Sequence, residues 1–270
     1  MQCYKNGQLI DSIPLLDRAF HYGDGCFTTA RLVHGGMELK ELHIARLNYA
    51  CKNLSLDADL SFIDQALDQL LQHEKNLNGT LKVVISRGEG DRGYSLPLHP
   101  ADVYVWFYPK QWQHLEPEWI ESGLLNHAIG LHMPHLVGLK TLNRLEQVVL
   151  KQEADQRGWL EALVTDVQGY IVEGVSSNCF IRINDQWITP ELRYNGVHGV
   201  MRAHILSRMQ QNHISCEQRC IEMDQIAHIQ NIFFCNALHP MKAVVRFQGR
   251  TMQQQPYLDL FNSLKLSQID

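Results

Sequence analysis

Three groups of residues in this sequence have types and spacings that chemistry could use. Gly88-Glu89-Gly90-Asp91-Arg92-Gly93 matches G-x-G-x-x-G and follows an apolar run. A dinucleotide site needs a helix to begin there, so that its first N–H groups face the pyrophosphate. The residues that follow are YSLPLHPADV, and their two prolines oppose a helix. The stretch reads instead as a Gly-rich loop carrying one arginine. His127, His132 and His135 suggest a metal site. Helical zinc ligands come as H-E-x-x-H, and this stretch lacks the Glu and is broken by Pro134. His213, Cys216 and Cys220 have tolerable spacing but no fourth ligand nearby, and a closed zinc site needs four. No G-x-S-x-G elbow and no Walker sequence is present. Neither metal nor nucleotide chemistry is expected.

The elements that would position a site alternate in type. QCYKNGQLI holds an Asn-Gly pair, a strong hairpin signal. Phe27 to Leu39 reads strand, His-Gly-Gly turn, strand. Leu42 to Leu54 has apolar residues at Ile44, Leu47 and Ala50/Cys51, a helical period. Ser61 to His73 is a second helix with Ser61 as its cap. Leu81 to Ser86 and Val103 to Tyr108 are strands. Pro109 to Pro117 is polar, lacks a period and holds two prolines, so it marks a boundary. Beyond it, Leu142 to Gln156 predicts a helix with Leu142, Leu145 and Val148/Val149 on one face. Ala162 to Val172 and Asn178 to Ile188 predict hairpins turning at Gln168-Gly169 and Asn184-Asp185. Val200 to Gln210 is helical, and Ile232 to Cys235 and Ala243 to Phe247 are strands. The fold class is therefore mixed, α/β or α+β. The expected domains are 1–110, a linker at 111–117, and a larger C-terminal domain, 118–270.

Composition bounds the function. The chain has 270 residues, with 24 Lys plus Arg against 29 Asp plus Glu, a net charge of −5. A general nucleic-acid binder needs a basic footprint, which this balance lacks. The most apolar run, VYVWFY, is far short of the roughly 20 residues of a membrane span. The first residues have no basic start followed by an apolar core, so no secretory signal is expected. Seven scattered cysteines then read as reduced thiols of a cytoplasmic protein.

Six segments go further. In order they are DRAFHYGDGCFTT (17–29), HIARL (43–47), GLKTLN (138–143), VEGVSSN (172–178), GVMR (199–202) and CNAL (235–238). Together they resemble the pyridoxal-phosphate enzymes of fold type IV, a group of branched-chain aminotransferases, D-amino-acid transaminases and aminodeoxychorismate lyases. The resemblance runs from about residue 1 to 245. The phrases YGDGCFTTARL, LKVVISRGEGDRGYS, GLKTLNRLEQV and CNALHP are similar to the lyase subgroup rather than to the transaminases. This implies a two-domain fold with pyridoxal 5'-phosphate in the cleft between domains, a homodimer, and a lyase reaction that converts 4-amino-4-deoxychorismate to p-aminobenzoate and pyruvate.

The resemblance also implies roles. Lys140, in the C-terminal domain, would form the Schiff base and act as general acid and base. A Schiff-base lysine needs burial to lower its pKa, and Leu136, Val137, Leu139 and Leu142 flank it. Glu173 would pair with the pyridine nitrogen and keep the ring an electron sink. Arg46 would hold the phosphate with its guanidinium fork. Val200 and Met201 would bind it through backbone N–H groups at a helix start, and Asn236 would add a side-chain donor. Ser176, Ser177 and Asn178 would line the ring and order Glu173. Arg92 and Thr28 would meet substrate. Phe27 stands where D-amino-acid transaminases carry a tyrosine, which weakens a transaminase reading. A D-amino-acid or branched-chain transaminase remains one alternative. A degenerate relative acting by interaction is another, opposed by the joint retention of Lys140, Glu173 and Arg46.

Overall fold

A computed structural model describes residues 1–74, 76–113 and 115–269. The chain forms two compact units, one of residues 1–113 with 139–143, the other of 115–138 with 144–269.

The first unit is an antiparallel sheet backed by helices. Its elements are β1 (Gln2–Lys5), β2 (Gln8–Ile10), α1 (Arg18–Tyr22), β3 (Gly25–Val33), β4 (Gly36–Met37), α2 (Lys40–Leu54), α3 (Ser61–His73), β5 (Gly79–Ser86) and β6 (Asp102–Pro109). The strand order is β2-β1-β6-β5-β3-β4. Asn6 and Gly7 both take positive φ, 49° and 75°, which gives the tight β1–β2 turn the twist a hairpin needs. Along β3, Cys26, Thr28, Ala30 and Leu32 are buried, while Phe27 and Thr29 between them are half-exposed. The helix α2 packs on this strand and buries His43, Leu47, Ala50 and Cys51 at helical spacing. Ser61 opens α3 but does not cap it. Leu60 is the N-cap residue and brings no side-chain bond, while Asp59 Oδ1 just before it accepts the Ser61 N–H at 3.0 Å.

The segment 139–143 joins this unit through backbone pairing. Phe27 N–H donates to the Lys140 carbonyl at 2.9 Å, and Leu142 N–H donates to the Gly25 carbonyl at 3.1 Å. Cys26 and Thr141 form an antiparallel bridge. Lys140 thus packs with the first unit, whereas the sequence reading carried it with the C-terminal domain. The same pairing draws in Leu142, and the helix begins only at Leu145 rather than at Leu142.

The second unit comprises β7 (Glu118–Ser122), α4 (Leu145–Gln156), β8 (Leu163–Thr165), β9 (Ile171–Gly174), β10 (Asn178–Ile183), β11 (Gln186–Pro190), α5 (Val200–Gln211), β12 (Cys216–Arg219), β13 (Asn231–Asn236), β14 (His239–Phe247), β15 (Arg250–Thr251) and α6 (Gln255–Ser263). Its main sheet runs β12-β11-β10-β13-β14-β15, with β7 parallel to β14, and β8 and β9 form a separate pair. Asn184 and Asp185 sit at φ 49° and 62° in the β10–β11 turn. Asp166 ties the β8–β9 turn by accepting the N–H groups of Gln168 and Tyr170. Ile181, Ile188, Ile232, Phe234 and Val244 lie in one core cluster. Helix α4 departs from its expected orientation. Leu145, Val148 and Val149 are exposed, and it buries Leu150, Glu153 and Ala154 instead.

Among the described residues, no helix is long and apolar enough to cross a membrane. All seven cysteines are unbridged thiols.

Candidate active site

In the first unit, the alternation of β3 sends neighbouring residues to opposite faces. Thr28 faces α2, where it meets two residues one helical turn apart. The Arg46 guanidinium donates to Thr28 Oγ. Arginine can only donate, so the Thr28 hydroxyl accepts there, and the same hydroxyl shares a hydrogen bond with His43 Nδ1 at 2.5 Å. Burial pushes the His43 pKa down to about 3, and the Arg46 charge adds to this. His43 is therefore neutral, and Thr28 links it to Arg46. On the other face of β3, the Phe27 ring lies under the Lys140 ammonium, 4.7 Å from Nζ to the centroid. Lys82 reaches the same ring at 5.4 Å.

Arg92 is exposed on the loop after β5. No helix follows Gly93, so the Gly-rich stretch is the expected loop. It is tied down by Arg18, whose backbone N–H donates to the Gly88 carbonyl and whose Nη1 donates to the Gly93 carbonyl at 2.8 Å. Among the described residues, no hydrogen bond joins Arg92 to another candidate.

In the second unit, Glu173 ends β9 and is buried. Its Oε2 accepts the Val197 N–H at 3.0 Å and Asn178 Nδ2 at 3.3 Å. Asn178 Nδ2 also donates to the Val197 carbonyl at 2.9 Å. These bonds tie Glu173 to the segment that enters α5. Gly199 precedes that helix, and any side chain there would collide with Asn178 Oδ1. The helix starts at Val200 and Met201, both buried, with no side-chain cap, so its first N–H groups are suited to an anion.

Asn178 turns its amide to Glu173. Ser176 and Ser177 turn to a residue the sequence reading missed, Glu161. Its carboxylate accepts the Ser176 N–H at 3.1 Å, the Ser176 hydroxyl, and the Ser177 hydroxyl at 2.7 Å. Asn236 Nδ2 donates to Ser177 Oγ at 3.0 Å, and its Oδ1 accepts the N–H groups of Leu238 and His239. A signal existed for Glu161, since it is the one acid within Leu160-Glu161-Ala162-Leu163-Val164. His43 was missed too, although it shares the i, i+4, i+7 stripe of Leu47 and Ala50.

The histidines that suggested a metal are engaged otherwise. His127 Nδ1 pairs with Glu153 at 2.6 Å, and His132 Nε2 lies 3.5 Å from Glu146. Among the described residues, no three His, Cys, Asp or Glu side chains gather to hold a metal.

The sequence profile described as amino-transferase class IV matches residues 25–247. An aminodeoxychorismate lyase of Vibrio harveyi is 29% identical over 238 residues, covering 86% of each chain. A D-alanine aminotransferase of Bacillus licheniformis is 25% identical over 263 residues, 93% of this chain and 90% of that one. Among solved structures, the 4-amino-4-deoxychorismate lyase of Pseudomonas aeruginosa superposes with a TM-score of 0.86 at 29% identity, covering 97% of this chain and 98% of the other.

Proposed function

The chain belongs to the amino-transferase class IV family, and from that premise we propose that it is a pyridoxal-phosphate-dependent lyase. It would convert 4-amino-4-deoxychorismate to p-aminobenzoate and pyruvate, a step of folate biosynthesis. The observation that carries the reading is the bonded run from buried Glu173 through Asn178 and Val197 to the uncapped start of α5. It offers a carboxylate for a pyridinium nitrogen and N–H groups for a phosphate within one unit.

The donor set fits pyridoxal 5'-phosphate. Glu173 takes the ring nitrogen. The Val200 and Met201 N–H groups and Asn236 would take the phosphate. Arg46 supplies its charge, and Thr28 and His43 hold its side chain in one rotamer. When bound, the cofactor supplies an electron sink for a carbanion on the carbon bearing the substrate amine.

Lys140 would hold the cofactor through Nζ, and the Phe27 ring beneath it replaces water with an apolar face. With substrate bound, Lys140 Nζ would remove the proton from the amine-bearing carbon and return a proton to the departing enolpyruvyl group. Glu173 would hold a proton at the ring nitrogen. Arg92 would serve the substrate, whereas Thr28, expected to do so, is buried with its hydroxyl bonded to Arg46 and His43 and would act only through Arg46. Phe27 brings no hydroxyl to Lys140, which favours elimination without a keto-acid cycle over transamination.

The proposal includes a homodimer in the cytoplasm. Leu15, Leu16, Phe20, Tyr94, Leu96 and Leu98 of the first unit are exposed in the single chain, a surface suited to burial against a second copy. The unbridged thiols suit a reducing compartment.

The test is product formation from 4-amino-4-deoxychorismate with pyridoxal phosphate and no keto acid. Stoichiometric p-aminobenzoate and pyruvate over many turnovers are expected. Turnover that starts only when a keto acid is added would replace the lyase reading with a transaminase.

A further inference from the structure

Glu161 is fully buried, yet the proposed chemistry gives it no task. A buried carboxylate without partners is costly, so its partners define what it holds. Three hydrogen-bond donors converge on it, the Ser176 N–H, the Ser176 hydroxyl and the Ser177 hydroxyl, and the Lys242 ammonium forms an ion pair with it at 3.6 Å. Lys242 is itself 6% exposed. The carboxylate also lies against the backbone next to Glu173. A Cβ on Gly174 would come within 2.8 Å of Glu161 Oε2, so only glycine allows this approach.

The consequence is a fixed hydroxyl polarity. Ser177 has one hydroxyl hydrogen, and Glu161 takes it. Ser177 Oγ is left as an acceptor, and Asn236 Nδ2 fills that role at 3.0 Å. Asn236 is then oriented at both ends, because its Oδ1 already receives Leu238 and His239 N–H. A single buried acid therefore sets the turn at 174–177 and, through Ser177, the amide of Asn236.

We infer that Glu161 is a positioning residue for the phosphate end of the cofactor, acting through Ser177 and Asn236. This rests on the pyridoxal-phosphate reading given above. Its signature is selectivity: losing Glu161 should weaken binding of pyridoxal phosphate and spare pyridoxal, which has the same ring and aldehyde but no phosphate.

The experiment measures dissociation constants of both compounds by absorbance for the wild type, Glu161→Gln and Ser177→Ala. Glutamine keeps an acceptor oxygen but turns an NH2 toward the donors and leaves Lys242 without its counter-charge. The expected result is a loss of about tenfold or more for pyridoxal phosphate, with pyridoxal changed by no more than about twofold. Ser177→Ala should show the same selective loss, and the double variant should lose no more than the larger single, because the residues act in series. Equal losses for the two compounds, or no loss in a folded Glu161→Gln, would overturn the inference. If Glu161→Gln does not fold, Ser177→Ala decides, and an unchanged preference for the phosphorylated form would overturn it. A wild type that binds no pyridoxal phosphate would instead overturn the cofactor reading, which separates the two failures.

Discussion

Two buried acids, one in each unit, are held in different ways. Glu38 of the first unit has Arg31 as its charged neighbour, 3.4 Å away, and burial pushes its pKa up to about 7 despite that charge. Glu153 of the second unit is equally buried, and burial alone would raise it. It accepts the Asn126 and His127 N–H groups, the His127 ring and Arg157, and these hold it at about 2. Glu161 and Glu173 likewise each accept a backbone N–H. Acids held by backbone N–H groups fix the turns that supply them. In the first unit Thr28, His43 and Arg46 bond side chain to side chain, and regular β3 and α2 do the positioning.

This contrast can be broken at Thr28. Thr28→Val keeps the shape and removes the link, leaving the buried His43 Nδ1 without its hydrogen-bond partner. The expected cost is about 1–3 kcal/mol in denaturant unfolding, with Thr28→Ser restoring most of it. Unchanged stability in Thr28→Val would show that the Arg46–Thr28–His43 chain carries no weight.

A pH-dependent effect sharpens the contrast at Glu38. Its folded pKa lies above its ordinary value of 4.5, so the folded state binds the proton more tightly. Its contribution is full below about pH 4.5 and is lost as pH rises through about 7, on the order of 2–3 kcal/mol. Glu38→Gln should therefore flatten stability against pH between 5 and 8. Glu153 has the opposite sign: its contribution is present above 4.5 and lost as pH falls toward 2. Parallel wild-type and Glu38→Gln curves between pH 5 and 8 would contradict the assignment.

What the sequence made legible follows the same division. Asn6-Gly7 and Asn184-Asp185 are local turn chemistry, and both turns are where that chemistry puts them. The periods of α2 and α5 are also local and were readable to within a residue or two at each end. Lys140 is a different case. Its type and flanks were readable, but its place beside β3 depends on hydrogen bonds to Gly25 and Phe27, over a hundred residues earlier in the chain. The apolar face expected of α4 failed for a related reason. Leu142 is drawn into that pairing, and the helix beyond it buries the Leu150–Glu153–Ala154 side, where Glu153 is satisfied by the turn at 126–127. Glu161 was hidden because an acid in an apolar run reads as a surface residue until its donors, 15 and 16 residues on, are in place.

The account depends most on Lys140 as the lysine that bonds the cofactor. The direct measurement is borohydride reduction of the protein loaded with pyridoxal phosphate, followed by peptide mass spectrometry. The account predicts one stoichiometric pyridoxyl mark, on the peptide containing Lys140. A mark on Lys82 or another lysine in its place, or a loaded protein that acquires no mark, would contradict it.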